Sequence, residues 1–121
     1  MAAVEAAGKA GENLYMSGID GDAEALKKIR EGGPYKASFA FAYPMMGYAW
    51  GQYAADWIEG KEIPMVMQFN AIELNSAETI DEFEAAMGNV QETWTNADKY
   101  FTNLGNISYA TRQNYIQSRH N

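Results

Sequence analysis

An α/β fold, a parallel sheet with flanking helices, is what this 121-residue sequence predicts, and three observations carry it. A short apolar run ends in Gly18-Ile19-Asp20-Gly21-Asp22, and a charged, Ala/Leu-rich helical pattern follows from Ala23 to Glu31. That is the strand, turn and helix of one α/β unit. Tyr35 to Ala42 is short and mostly apolar, as expected of a strand covered on both faces. Strands and helices then alternate as far as Leu74, which predicts parallel pairing with right-handed crossovers.

Each element has a local reason. Residues Met1 to Lys9 read as the end of an amphipathic helix stopped by Gly8 or Gly11. They lack the basic start and long apolar segment of a signal peptide. A chain that opens on the last turns of a helix predicts a fragment of a larger fold. Asn13 to Ile19 is the first strand. Asp22 can cap the helix after it, where Ala23, Leu26 and Ile29 recur at helical spacing against Glu24, Lys27, Lys28 and Arg30 on the wet side. Gly32-Gly33-Pro34 ends that helix, and Tyr35 to Ala42 is the second strand.

Pro44 suits the first turn of a third helix running to Glu59 and stopped by Gly60. Met46, Trp50, Tyr53 and Trp57 fall on one side of it, with Met45 and Ala49 beside them. Pro64 to Leu74 is the third predicted strand. Thr79-Ile80-Asp81-Glu82 has a capping-box pattern, which predicts a short helix ending at Gly88. Val90 to Asn103 reads as a weaker helix with Trp94, Ala97 and Phe101 on one face. The segment from Ile107 to Asn121, with Tyr109 and Tyr115, reads as a final helix or a polar tail.

Composition narrows the function. The length is that of one domain or a piece of one, and 47% apolar residues can supply a core. A net charge of −7 with no Lys/Arg cluster argues against nucleic acid and anionic membrane surfaces, both of which need a basic footprint. No apolar run approaches the ~20 residues of a membrane span. The absence of cysteine excludes disulfides and thiolate metal sites, and suits a periplasmic protein.

Asp20 is the leading candidate for ligand contact. It sits at the carboxyl end of a predicted parallel strand, where open α/β sheets place their binding groups. The competing reading is an ordinary Asp-Gly turn. Phe41 and Tyr43, two residues apart, should point to the same side and are the other candidates. Phe41 either stacks on a ligand ring or belongs to the core. The Trp50, Tyr53, Trp57 stripe is read as core, and so are Trp94 and Phe101. Asp81, Glu82 and Glu84 read as a solvated helix face, and the isolated His120 receives no role. No GxGxxG, P-loop, nucleophile elbow or HExxH is present. No catalytic residue, metal or cofactor is therefore expected.

Four segments carry a resemblance: Ser17-Gly18-Ile19-Asp20-Gly21, Ile29-Arg30-Glu31-Gly32, Lys36-Ala37-Ser38-Phe39-Ala40, and Gly47 through Ile58-Glu59-Gly60-Lys61. In this order they resemble the C-terminal portion of a periplasmic sugar-binding protein, the ribose/galactose-type solute receptor of ABC transporters, over residues 1–85. The resemblance implies a partial type I periplasmic-binding-protein fold. It implies a sugar or related polar solute held by Asp20, and the transporter's membrane subunits as partners of a periplasmic parent protein. An ionised carboxylate suits paired sugar hydroxyls because it accepts two charge-assisted bonds at once. Phe41 departs from the family, which often carries a polar side chain there. Phenylalanine offers stacking instead.

The same resemblance divides the chain. Residues 1–41 would belong to one lobe, 42–73 to the other, and 74–121 to a return and an extra tail. Such a piece alone should bind sugar weakly and should associate with itself to cover open edges and apolar faces. Two other readings stand beside it. One is a stand-alone α/β module that oligomerises without a small ligand. The other is the sensor domain of a sugar-responsive repressor, for which the sequence offers no helix-turn-helix.

Overall fold

A computed structural model describes residues 2–9, 13–64 and 66–103. The elements are α1 (Ala2–Ala6), β1 (Met16–Ile19), α2 (Ala23–Arg30), β2 (Tyr35–Ala40), α3 (Tyr43–Ile58), β3 (Met67–Phe69), β4 (Ile72–Leu74), α4 (Ala77–Gly88), α5 (Val90–Thr93), a 3-10 helix (Trp94–Lys99) and β5 (Phe101–Asn103). The fold is mixed α/β. The tail readings at Ile107–Asn121 lie outside the described residues.

One sheet has the order β1-β2-β4. β1 and β2 are parallel, with Gly18 opposite Ser38 and Ile19 opposite Phe39, as the first α/β unit predicts. α2 is the crossover between them. Asp22 caps it, its Oδ1 accepting from the backbone N–H groups of Glu24 and Ala25. Leu26 and Ile29 on its inner face pack with Ala40, Leu74 and Ile80. α4 lies beside α2, and Arg30 crosses between them to Asp81 and to Glu84, the latter at 3.1 Å.

The third predicted strand is a correction. Two short strands, β3 and β4, take its place, and β4 runs antiparallel to β2, pairing Ser38 with Leu74 and Ala40 with Ile72. β3 leaves for a second sheet and pairs antiparallel with β5, Phe69 opposite Phe101. The break falls at Asn70. Its amide donates to the carbonyls of Asp98 and Lys99, and its backbone N–H to that of Tyr100. These bonds draw the chain off the first sheet. A parallel return needs a crossover helix packed on the sheet. α3 instead leans on α5, so the chain re-enters from the other end.

Among the described residues the helices that pack on this sheet, α2 and α4, lie on one face of it, and on the other face Ala37 is buried but its neighbours there are not. Leu74 and Ala40 face α2 and α4, whereas Phe39, Ile19 and Glu73 point to the other side and are exposed. The expectation that β2 is covered on both faces does not hold among the described residues. An apolar strand of small residues met the pattern without needing a second helical layer.

Two further readings are corrected. The N-cap of α4 is Ser76, whose Oγ accepts from the N–H of Thr79 while Thr79 Oγ1 accepts from the N–H of Ser76. The helix therefore starts at Ala77, and Thr79 occupies the third position of the box instead of the cap. The helix expected over Val90–Asn103 breaks into α5, the 3-10 turn and β5, with Asn96 at φ −139° inside the turn. Ala97 and Phe101 still meet half-buried Trp94 in a second core with Ala42, Met45 and Tyr100. Ile72 and Phe83 border both cores and join them.

Candidate functional site

The turn after β1 is held open by backbone conformation. Asp20 has φ +74° and Gly21 φ +64°, two successive left-handed residues. Asp tolerates this region better than most side chains, and glycine adopts it freely. At Gly21 a side chain is also barred by space. A Cβ there would lie 3.0 Å from that of Ala40 and 3.2 Å from Leu74 Cδ1. The backbone N–H of Asp20 donates to the Phe39 carbonyl at 2.9 Å, extending the β1–β2 ladder one step beyond Ile19.

Ser38 completes the support. It is fully buried on the central strand, and its Oγ accepts from the Gly21 N–H at 3.0 Å. Nothing in the sequence reading singled it out. The available signal was a hydroxyl inside the apolar run Ala37-Ser38-Phe39-Ala40, because a buried polar group calls for a partner.

The structure brings the three candidate residues together. Tyr43 is the first residue of α3, following the buried Ala42 at its cap position. Its hydroxyl donates to Asp20 Oδ1 at 2.9 Å. Phe41 lies beside it, with ring centroids 6.2 Å apart and planes tilted by 52°. The hydrogen bond to Asp20, with some burial, holds the Tyr43 phenol above its ordinary pKa. Asp20 does not cap α2, a task that falls to Asp22. Its second oxygen, Oδ2, meets no donor among the described residues. The result is an exposed carboxylate, oriented by a phenol and flanked by an aromatic ring, at the carboxyl ends of β1 and β2.

Other groups of interest lie elsewhere. A depression of about 170 Å³ lined by Asp22, Glu24, Ala25, Lys28 and Tyr35 includes none of the three. It is smaller than the ~300–1,000 Å³ usual for ligand pockets. Asp81 and Glu84 share Arg30, and Glu82 pairs with Lys99, so these three of the four acidic side chains of α4 form surface ion pairs. Among the described residues no cluster of His, Cys, Asp and Glu is suited to a metal ion, and no helix is long and apolar enough to cross a membrane. His120 lies outside the described residues.

No protein-family model matches this chain, and neither does any curated protein or solved structure.

Proposed function

We propose that the chain is the C-terminal part of the solute-binding component of a carbohydrate-type ABC transporter. In this reading it binds a sugar or polyol non-covalently between two lobes of a periplasmic parent protein. The observation that carries the reading is the Asp20 carboxylate at the carboxyl end of β1, with the Tyr43 hydroxyl on one oxygen and the Phe41 ring alongside. Such a group accepts hydroxyl donors through Oδ2, while the Tyr43 oxygen retains an acceptor lone pair. The Phe41 ring suits the apolar face of a sugar. The remaining wall, and the membrane subunits that sense closure, would come from outside this chain.

Titration calorimetry against pentoses, hexoses and polyols tests the reading. The 121-residue chain should give no saturable heat at micromolar ligand, because one wall of a cleft does not desolvate a sugar. The parent protein with both lobes should bind. Asp20→Ala in it should weaken binding roughly ten- to a hundredfold, as expected for hydrogen bonds to a charged group. A two-lobed parent that ignores the whole panel, or binds equally well without the Asp20 carboxylate, would rule the reading out.

A further inference from the structure

Helix α3 is built inside out. Its hydrophilic side chains Gln52 and Asp56 lie on the half-buried side, next to buried Met45 and Ala49. The opposite face carries Gly47, Trp50, Gly51, Ala54, Trp57 and Ile58, and every one of them is exposed. Trp50 is 60% exposed, Trp57 69% and Ile58 80%. No charged residue stands on this face. A surface helix ordinarily has the reverse arrangement.

The two glycines sharpen the point. Each costs a helix interior about 1 kcal/mol against alanine. Neither has a positive φ, and a Cβ at Gly47 or Gly51 would meet nothing within 4 Å. The chain's own described fold therefore has no need of them. Glycine in a helix does serve the close approach of another backbone.

We infer that the outer face of α3 is a docking surface for a second copy of this chain, with the two helices antiparallel across a two-fold axis. Three features select this occupant. The first is self-complementary shape. α3 spans Tyr43–Ile58, and an axis at its middle, between Trp50 and Gly51, overlaps the two helices along their full length. Trp50 then meets Gly51 of the second copy, Gly47 meets its Ala54, and Tyr43 meets its Ile58. At the axis the Trp50 of each copy faces the Gly51 hollow of the other, as an isologous interface demands, with the small Gly47 and Ala54 on either side.

The second feature is area. Trp50, Trp57 and Ile58 together leave on the order of 450 Å² uncovered, more than half of the ~800 Å² per partner of a standard interface. The third is charge. Two copies of a chain with net charge −7 repel each other, and the α3 face lets them meet where neither carries charge. With no Lys or Arg on the face, an anionic lipid surface has nothing to attract it. The inference does not depend on sugar binding.

Sedimentation equilibrium of the full chain over micromolar to millimolar concentration should show a monomer–dimer equilibrium. Trp57→Glu should weaken it at least tenfold. Gly51→Leu should do the same, because it fills the hollow at a position where a Cβ meets nothing of its own chain within 4 Å. The sequence has no cysteine, so single thiols report the geometry. G51C should oxidise readily to a covalent dimer, I58C alone should not, and G47C mixed with A54C should give the heterodimer. A chain that stays monomeric throughout overturns the inference. So does a dimer indifferent to both substitutions, or I58C linking as fast as G51C. Tryptophans shielded in a monomer would mean that the chain's own residues cover the face. Binding of monomer to phosphatidylcholine vesicles would mean a membrane does. Either result also overturns it.

Discussion

Helix α2 has eight residues and α3 has sixteen, yet α2 buries three side chains and α3 only two. α2 sets Ala25, Leu26 and Ile29 against the sheet and leaves Lys27 and Arg30 outside. Asp22 closes its start, and Lys28 is held by Glu31 and Glu24 on neighbouring turns. α3 has no side-chain cap, touches the body through Met45, Ala49 and the Tyr48 and Tyr53 contacts with Trp94, and turns its tryptophans outward. A helix length or an apolar content therefore says little about burial. The placement of charge around the helix says more. α2 carries charge where water is, and α3 carries none there.

The contrast is broken or sharpened by paired substitutions. Leu74→Ala removes a fully buried side chain from the core that α2 and α4 share. It should cost roughly 2–5 kcal/mol, enough to threaten a domain of this size. Trp57→Ala, far larger in volume, should change the stability of the dilute monomer by less than about 0.5 kcal/mol. Urea denaturation at low concentration measures both. If the Trp57 variant proved the more damaging, α3 would be as integrated as α2 and the distinction would fail.

A smaller effect is expected at the helix starts. Asp22→Ala deletes the carboxylate that serves Glu24 and Ala25, and should cost about 1 kcal/mol. α3 has no equivalent to lose. Replacing its cap residue Ala42 by serine would test whether the start of α3 is limited by capping or by the buried position of that residue. Crowding should win, with serine giving no gain in thermal midpoint.

The smallest expected effect is a pH dependence at the junction of β1 and α3. The Asp20 hydrogen bond raises the Tyr43 pKa above 10.0. The contribution of this bond is intact below the unfolded value near 10 and is lost as pH rises through the elevated folded value. The ultraviolet difference titration between the wild type and Tyr43→Phe isolates this phenol. Asp20→Ala should lower its midpoint, and an unchanged midpoint would show that the two groups are apart in solution.

Local punctuation made much of this molecule legible. Asp22 followed by Ala23 to Arg30, the glycine and proline after Glu31, and Pro44 at the start of a helix ended by Gly60 all mark elements that form where their residues predict. Asp20, Phe41 and Tyr43 do lie near one another, but not by strand alternation: β2 ends at Ala40, Tyr43 opens α3, and its hydroxyl reaches Asp20 from the helix start. Ser38 was not legible, because its role depends on the turn of a neighbouring strand passing over it.

What the sequence by itself determined were the starts and stops of α2 and α3, the parallel β1–β2 unit and the charged outer face of α2. These follow from contacts within a few residues, or from one face of one helix meeting one sheet. Only the tertiary structure decided the direction of β4, the split at Asn70 and the outward turn of Trp50 and Trp57. Apolar spacing shows that a segment has an apolar side. It cannot show which neighbour reaches that side first, and here Trp94 and Phe101 took Met45, Tyr48 and Tyr53, leaving the opposite face of α3 to water.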